Sequence, residues 1–257
     1  MQRWKITNST AILIFMLLSC FLAWLVALPI WVDGGLNNSR FTLFAVAMMS
    51  TPTIAAVVVC AIEARMSSFV RDVGLWPLKY PKRLLWCLLL AIALPVFLTI
   101  QAVYIGTWLG TFPGDLKNFT ILHFLAGSQG TGAYLMSQVG SILLATLVNL
   151  LPAMGEEIGW RGWLWPRLQK YGRVPAIFVS GVIWGLWHAP LILLGYNYPF
   201  AEGAWGLVFM CGMCIVVGAF FGWLRTISGS VWPCAMAHAD SSMSVKQQSE
   251  PFHLLLK

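Results

Sequence analysis

Six ionisable side chains define the chemistry available to this chain: Glu156, Glu157, Arg161, His188, His238 and Asp240. Each lies in or beside an apolar run, where a charge is costly and therefore a functional candidate. The stretch Gly155-Glu156-Glu157-Ile158-Gly159-Trp160-Arg161 puts two adjacent carboxylates at the inner end of one such run. On a helix, Glu157 and Arg161 stand at i and i+4, share a face and can neutralise each other. Glu156 points about 100° away, which leaves it to proton transfer or metal ligation. His188 stands in Trp184-Gly185-Leu186-Trp187-His188-Ala189-Pro190, and His238 in Cys234-Ala235-Met236-Ala237-His238-Ala239-Asp240. One Glu and two His on separate segments can hold a water. With a metal, Glu156, His188 and His238 would form a three-ligand zinc site with one open position. Without one, Glu156 would act as general base with His188 as its partner. His238 and its helical neighbours are candidate donors to a developing oxyanion. The soluble metalloprotease signature H-E-x-x-H is absent, as are a G-x-S-x-G elbow and a phosphate-binding glycine loop.

The elements that must position these residues follow from composition. The chain has 257 residues, of which 59% are hydrophobic and 10% charged, with a mean hydropathy of +0.77. An average soluble domain is about 45–50% apolar and about 25% charged. A soluble globule, a disordered chain and a secreted disulfide scaffold are excluded, which leaves a polytopic membrane protein. Six runs free of Lys, Arg, Asp and Glu are long enough to span: 11–32, 41–62, 84–109, 133–154, 174–194 and 203–224. A further run, 227–240, is short. The expected fold is all-α, a polytopic transmembrane bundle of about 6–8 helices, some of them re-entrant. We read 1–257 as one integral membrane domain, with scaffold helices over 1–132, catalytic helices over 133–242 and a short polar tail over 243–257. The first run is too long for a cleaved signal and is expected to be retained.

The formal charge of +7 belongs to the membrane surface rather than to nucleic acid, because the basic residues fall between apolar runs. With the N-terminus in the cytoplasm, Arg3, Lys5, the basic loop 66–83 and the cluster Arg161 to Arg173 all lie inside. Arg40 and Lys117 lie outside, so the distribution favours this orientation. That basic loop carries Trp76 and Tyr80 and suits a headgroup surface. The six cysteines sit in or beside apolar runs and read as small buried hydrophobes. Gly181-x-x-x-Gly185 and Gly218-x-x-x-Gly222 read as close helix contacts within the bundle.

The three polar segments resemble the CAAX protease and bacteriocin-processing (CPBP, or Abi) family of intramembrane endopeptidases. The family pattern is E-E-x-x-x-R, then an aromatic-x-x-x-H, then H-x-x-x-N. The first motif is Glu156-Glu157-x-x-x-Arg161 with its continuation Gly162-Trp163-Leu164-Trp165-Pro166, and the second is Trp184-x-x-x-His188, with Trp for the commoner Phe. The third departs: Ser242 occupies the place of the Asn and offers a hydroxyl in place of an amide. The resemblance implies a catalytic role for Glu156, His188 and His238, with Glu157, Arg161 and Ser242 in support. It implies zinc or a metal-free glutamate mechanism, and membrane-bound or lipidated peptide substrates, prenylated CAAX proteins among them, in a multi-pass cell-membrane protein. The alternative within the family is a non-hydrolytic protein of bacteriocin self-immunity. A transporter is the reading from another class, and the absence of ionisable residues from the first three spans counts against it.

Overall fold

The computed structural model describes residues 6–110, 123, 126–201 and 204–240, and the described residues form helices and turns without a strand. Five helical runs are long and apolar enough to cross a membrane. They are α1 (Asn8–Val32), the pair α2 (Phe41–Met48) and α3 (Thr51–Ile62), then, beyond the short α4 (Phe69–Asp72), α5 (Pro81–Trp108), the run opened by α6 (Thr131–Glu157), and one more, Trp205–Ser228. The run opened by α6 also holds α7 (Trp165–Leu168); it is followed by the shorter apolar α8 (Arg173–Trp187) and by α9 (Ala189–Ile192). The Trp205–Ser228 helix is α10, and residues 232–240 add a last helical stretch. Leu143, Leu144, Leu147, Val148 and Leu151 stand exposed on α6, a surface that acyl chains would cover. The chain is a multi-pass helical membrane protein.

Proline sets two breaks inside runs that read as single spans. Pro52 has no N–H for the carbonyl of Met48, and the Thr51 hydroxyl donates to that carbonyl instead at 2.8 Å. Pro190 likewise gives nothing to the carbonyl of Leu186, so the run 174–194 is not one helix. Its ladder closes at His188, whose N–H bonds Gly185 at 3.1 Å before α9 begins. The Glu-Glu motif differs from expectation in the opposite sense. It does not end a helix: the chain continues through it as a π-helix over Ile158–Leu164 and then as α7.

The chain divides into two compact units, one of Met1–Cys87 with Pro152–Ala235 and one of Leu88–Leu151 with Met236–Lys257. In the first, glycines let backbones meet. A Cβ on Gly155 would stand 3.0 Å from the Met49 carbonyl, and one on Gly159 2.6 Å from the Pro52 backbone. Gly181 and Gly185 of α8 lie against the backbone of Ile215 and Cys211 of α10, and Gly222 lies against the Trp165 ring. Both small-residue pairs therefore serve contacts within one chain. Phe15 stacks on Trp163 with centroids 4.7 Å apart, and the Trp31 indole donates to the Pro190 carbonyl at 2.8 Å.

The loop after α3 is tied down at several points. Arg65 and Ser68 each donate to Asp72 Oδ2 at 2.8 Å, and Arg71 reaches Oδ1 at 3.3 Å. Burial raises the Asp72 carboxyl, and these three donors outweigh it, holding the group below the usual carboxylate range. Gly74, at φ +80°, presents its carbonyl to the Val231 N–H at 3.2 Å and to the Ser230 hydroxyl at 2.9 Å. Trp76 and Tyr80 stay exposed. In the second unit, Thr146 donates to Asp240 at 3.3 Å.

Candidate active site

The site begins with two carboxylates in an apolar layer. Glu156 is 2% exposed, Glu157 0% and Arg161 2%. Charges this deep persist only with partners. Arg161 donates to Glu157 Oε1 at 2.8 Å, the pair that the i, i+4 spacing leads one to expect. The Arg161 guanidinium also lies 4.1 Å from the Trp184 ring centroid and 5.0 Å from that of Phe221. Gly218 makes room for it, since a Cβ there would stand 3.1 Å from the Arg161 nitrogen. From the far side, Arg225 donates to the Arg161 carbonyl at 3.2 Å.

Glu156 faces a different element. Its Oε2 accepts from the Trp184 indole N–H at 2.8 Å. The Trp184 carbonyl in turn lies 2.8 Å from His188 Nδ1. A carbonyl only accepts, so Nδ1 carries the hydrogen, and the lone pair of the neutral ring is on Nε2. His188 is half-buried, edge-on to Trp187 at 4.7 Å. The break at Pro190 thus leaves His188 at the end of α8 rather than inside a helix.

Glu156, Glu157, Arg161 and His188 are brought together in the first unit, with Trp184 holding one atom of Glu156 and one of His188. His238 is buried in the second unit and is described there by itself, on the stretch that also carries Asp240. Ser242 and the tail 243–257 lie outside the described residues. Imidazole and carboxylate are the donors zinc prefers, yet among the described residues no group of three or more His, Cys, Asp or Glu converges as a metal site. No step below is routed through a metal.

Sequence reasoning missed two groups. The Trp184 N–H was hidden because its partner is 28 residues away on another element. Arg167, which read as one of a basic cluster, grips Glu63 through both nitrogens at 2.9 and 2.6 Å and lies 4.0 Å over Trp163. Arg167 also edges a cavity of about 170 Å³ with Arg65, Asp72, Trp163 and Lys170, none of which is a proposed catalytic residue.

Comparison with known proteins bears out the family resemblance. Residues 138–241 match the family model described as type II CAAX prenyl endopeptidase Rce1-like. That interval contains Glu156, His188 and His238 and stops one residue before Ser242. A curated relative, CAAX prenyl protease 2 of Methanococcus maripaludis, is 36% identical over 136 residues, which are 50% of this chain and 46% of that protein. The chain thus spans about half the length of the relative it matches.

Proposed function

From this family match we propose that the chain is an intramembrane endopeptidase that cleaves membrane-associated, CAAX-type lipidated peptides. The observation that carries the reading is a buried carboxylate, Glu156, held by the same residue that fixes the His188 tautomer. In this reading Glu156 takes a proton from water as the oxygen attacks the scissile carbonyl carbon. A tetrahedral oxyanion forms, and His188 and His238 are the groups proposed to donate to it. The intermediate collapses, the C–N bond breaks, and the proton held by Glu156 passes to the leaving amine. Glu157 and Arg161 neutralise each other and keep the helix in place without taking part.

Zinc, bound by Glu156, His188 and His238, is the alternative form of the same reading, and it would supply Lewis-acid activation of the water. The cell membrane as location and a cytoplasmic N-terminus belong to the proposal as well. The test is cleavage of a farnesylated CAAX peptide by the purified protein in detergent, beside Glu156→Ala and His188→Ala, with and without chelator. Loss of cleavage in both variants supports the reading, and the chelator arm separates the two forms. Ser242, in the place of the family's Asn, motivates a second reading, a binding protein with little hydrolysis. Cleavage that appears only in Ser242→Asn would favour that one.

A further inference from the structure

We infer that Trp184 is the positioning residue of this site, setting the Glu156 carboxylate through its indole N–H and His188 through its backbone carbonyl. The inference rests on the proposed role of Glu156 and deepens it. Trp184 is the middle of a relay that starts at Glu157. Glu157 fixes Arg161 at 2.8 Å, and Arg161 lies 4.1 Å above the Trp184 ring. Trp184 then donates to Glu156 Oε2 at 2.8 Å. The cation on the ring face draws electron density from the indole and strengthens its N–H as a donor. Phe221, with its centroid 5.9 Å from that of Trp184, supports the ring as well. The indole is 3% exposed, so its orientation is fixed by packing.

Two consequences follow from the geometry. A carboxylate bonded through Oε2 presents Oε1 in a defined direction, which a general base needs in order to reach one water. The carbonyl bond to His188 survives any side-chain change at position 184, whereas the bond to Glu156 requires an N–H on the ring. Phe, the commoner residue of the family pattern, would keep the first and lose the second. The indole bond is therefore a feature of this chain's own residues.

Two experiments decide the matter. Without substrate, Trp184→Phe in protein labelled with 15N-Trp identifies the Trp184 indole resonance by its disappearance. Glu156→Gln is expected to move that resonance clearly upfield, because an amide oxygen accepts more weakly than a carboxylate. An unmoved resonance overturns the proposal. With a cleaved peptide, Trp184→Phe is expected to lower kcat about 10- to 100-fold with KM within about two-fold. Benzothienylalanine at 184 keeps the ring's size and replaces N–H by sulfur. It should reproduce the Phe effect with an unchanged unfolding midpoint, so a general loss of structure is recognised. A kcat within two-fold of wild type in the benzothienylalanine protein overturns the proposal. Glu156→Gln that cleaves like the wild type would instead sink the reading of Glu156 as base, while the resonance still reports the bond. Where no peptide is cleaved, the resonance alone decides.

Discussion

At the scale of single residues, the buried charges are held by different means. Glu157 and Arg161 form an ion pair with both side chains almost fully enclosed. Removing one partner strands the other, a loss that exceeds the net contribution of the pair. Arg161→Ala is expected to destabilise the protein by about 2–3 kcal/mol in detergent unfolding. The double variant Glu157→Gln with Arg161→Met should recover much of that loss. If the double variant is instead less stable than Arg161→Ala, the ion-pair account is wrong. Arg161→Lys should not rescue, because an ammonium lacks the planar group that lies over Trp184 and Phe221. The Glu157–Arg161 pair was legible in the sequence because both partners sit on one helix at a fixed spacing. The Glu63–Arg167 grip was not, since 104 residues separate its partners and nothing in the spacing of either one points to the other.

At the scale of elements, contact distance is set by glycine and helix length by proline. A Cβ on Gly185 would stand 2.6 Å from the Cα of Cys211, a backbone atom that cannot swing aside. Gly185→Ala should therefore push α8 from α10 and destabilise by about 1–3 kcal/mol, whereas Gly212→Ala, with nothing within 4 Å, should be close to neutral. Equal unfolding midpoints for the two variants would contradict this packing. The loop after α3 offers a pH test. Asp72 is held below the usual carboxylate range, so its contribution is complete above that range and fades as pH falls through the depressed value. Backbone exchange at Arg65–Leu75 should rise steeply below about pH 4 in the wild type. In Asp72→Asn it should be raised already at neutral pH and change little on acidification. The apolar runs announced where helices would lie, but not where Pro52 and Pro190 would divide them. Hydropathy measures the phase in which a residue prefers to sit, and it does not register which carbonyls lose a donor.

At the scale of the whole molecule, class and membrane residence were readable from composition, because so few charges cannot cover a water-facing surface. Burial of the Glu-Glu motif was not readable, since an end and an interior of a helix have the same sequence until neighbours close over it. The basic loop and the N-terminus are proposed to face the same compartment. Cysteine-labelling of single-cysteine variants at Met66 and Asn38 in sealed vesicles should modify them from opposite sides, and modification from the same side would reverse that topology. The π-helix at Ile158–Leu164 has a further consequence for how such a chain tolerates change in length. A π segment holds one residue more than the α-helix it interrupts. It stands between Glu156 and Arg167, so it works as a phase adjuster between reaction and anchor. Deleting one residue within it would restore an ordinary ladder and turn everything that follows by about 100°. Arg167 would swing off Glu63 while Glu156 kept its seat. An insertion in an ancestral helix, once fixed there, would have become difficult to reverse by a single deletion.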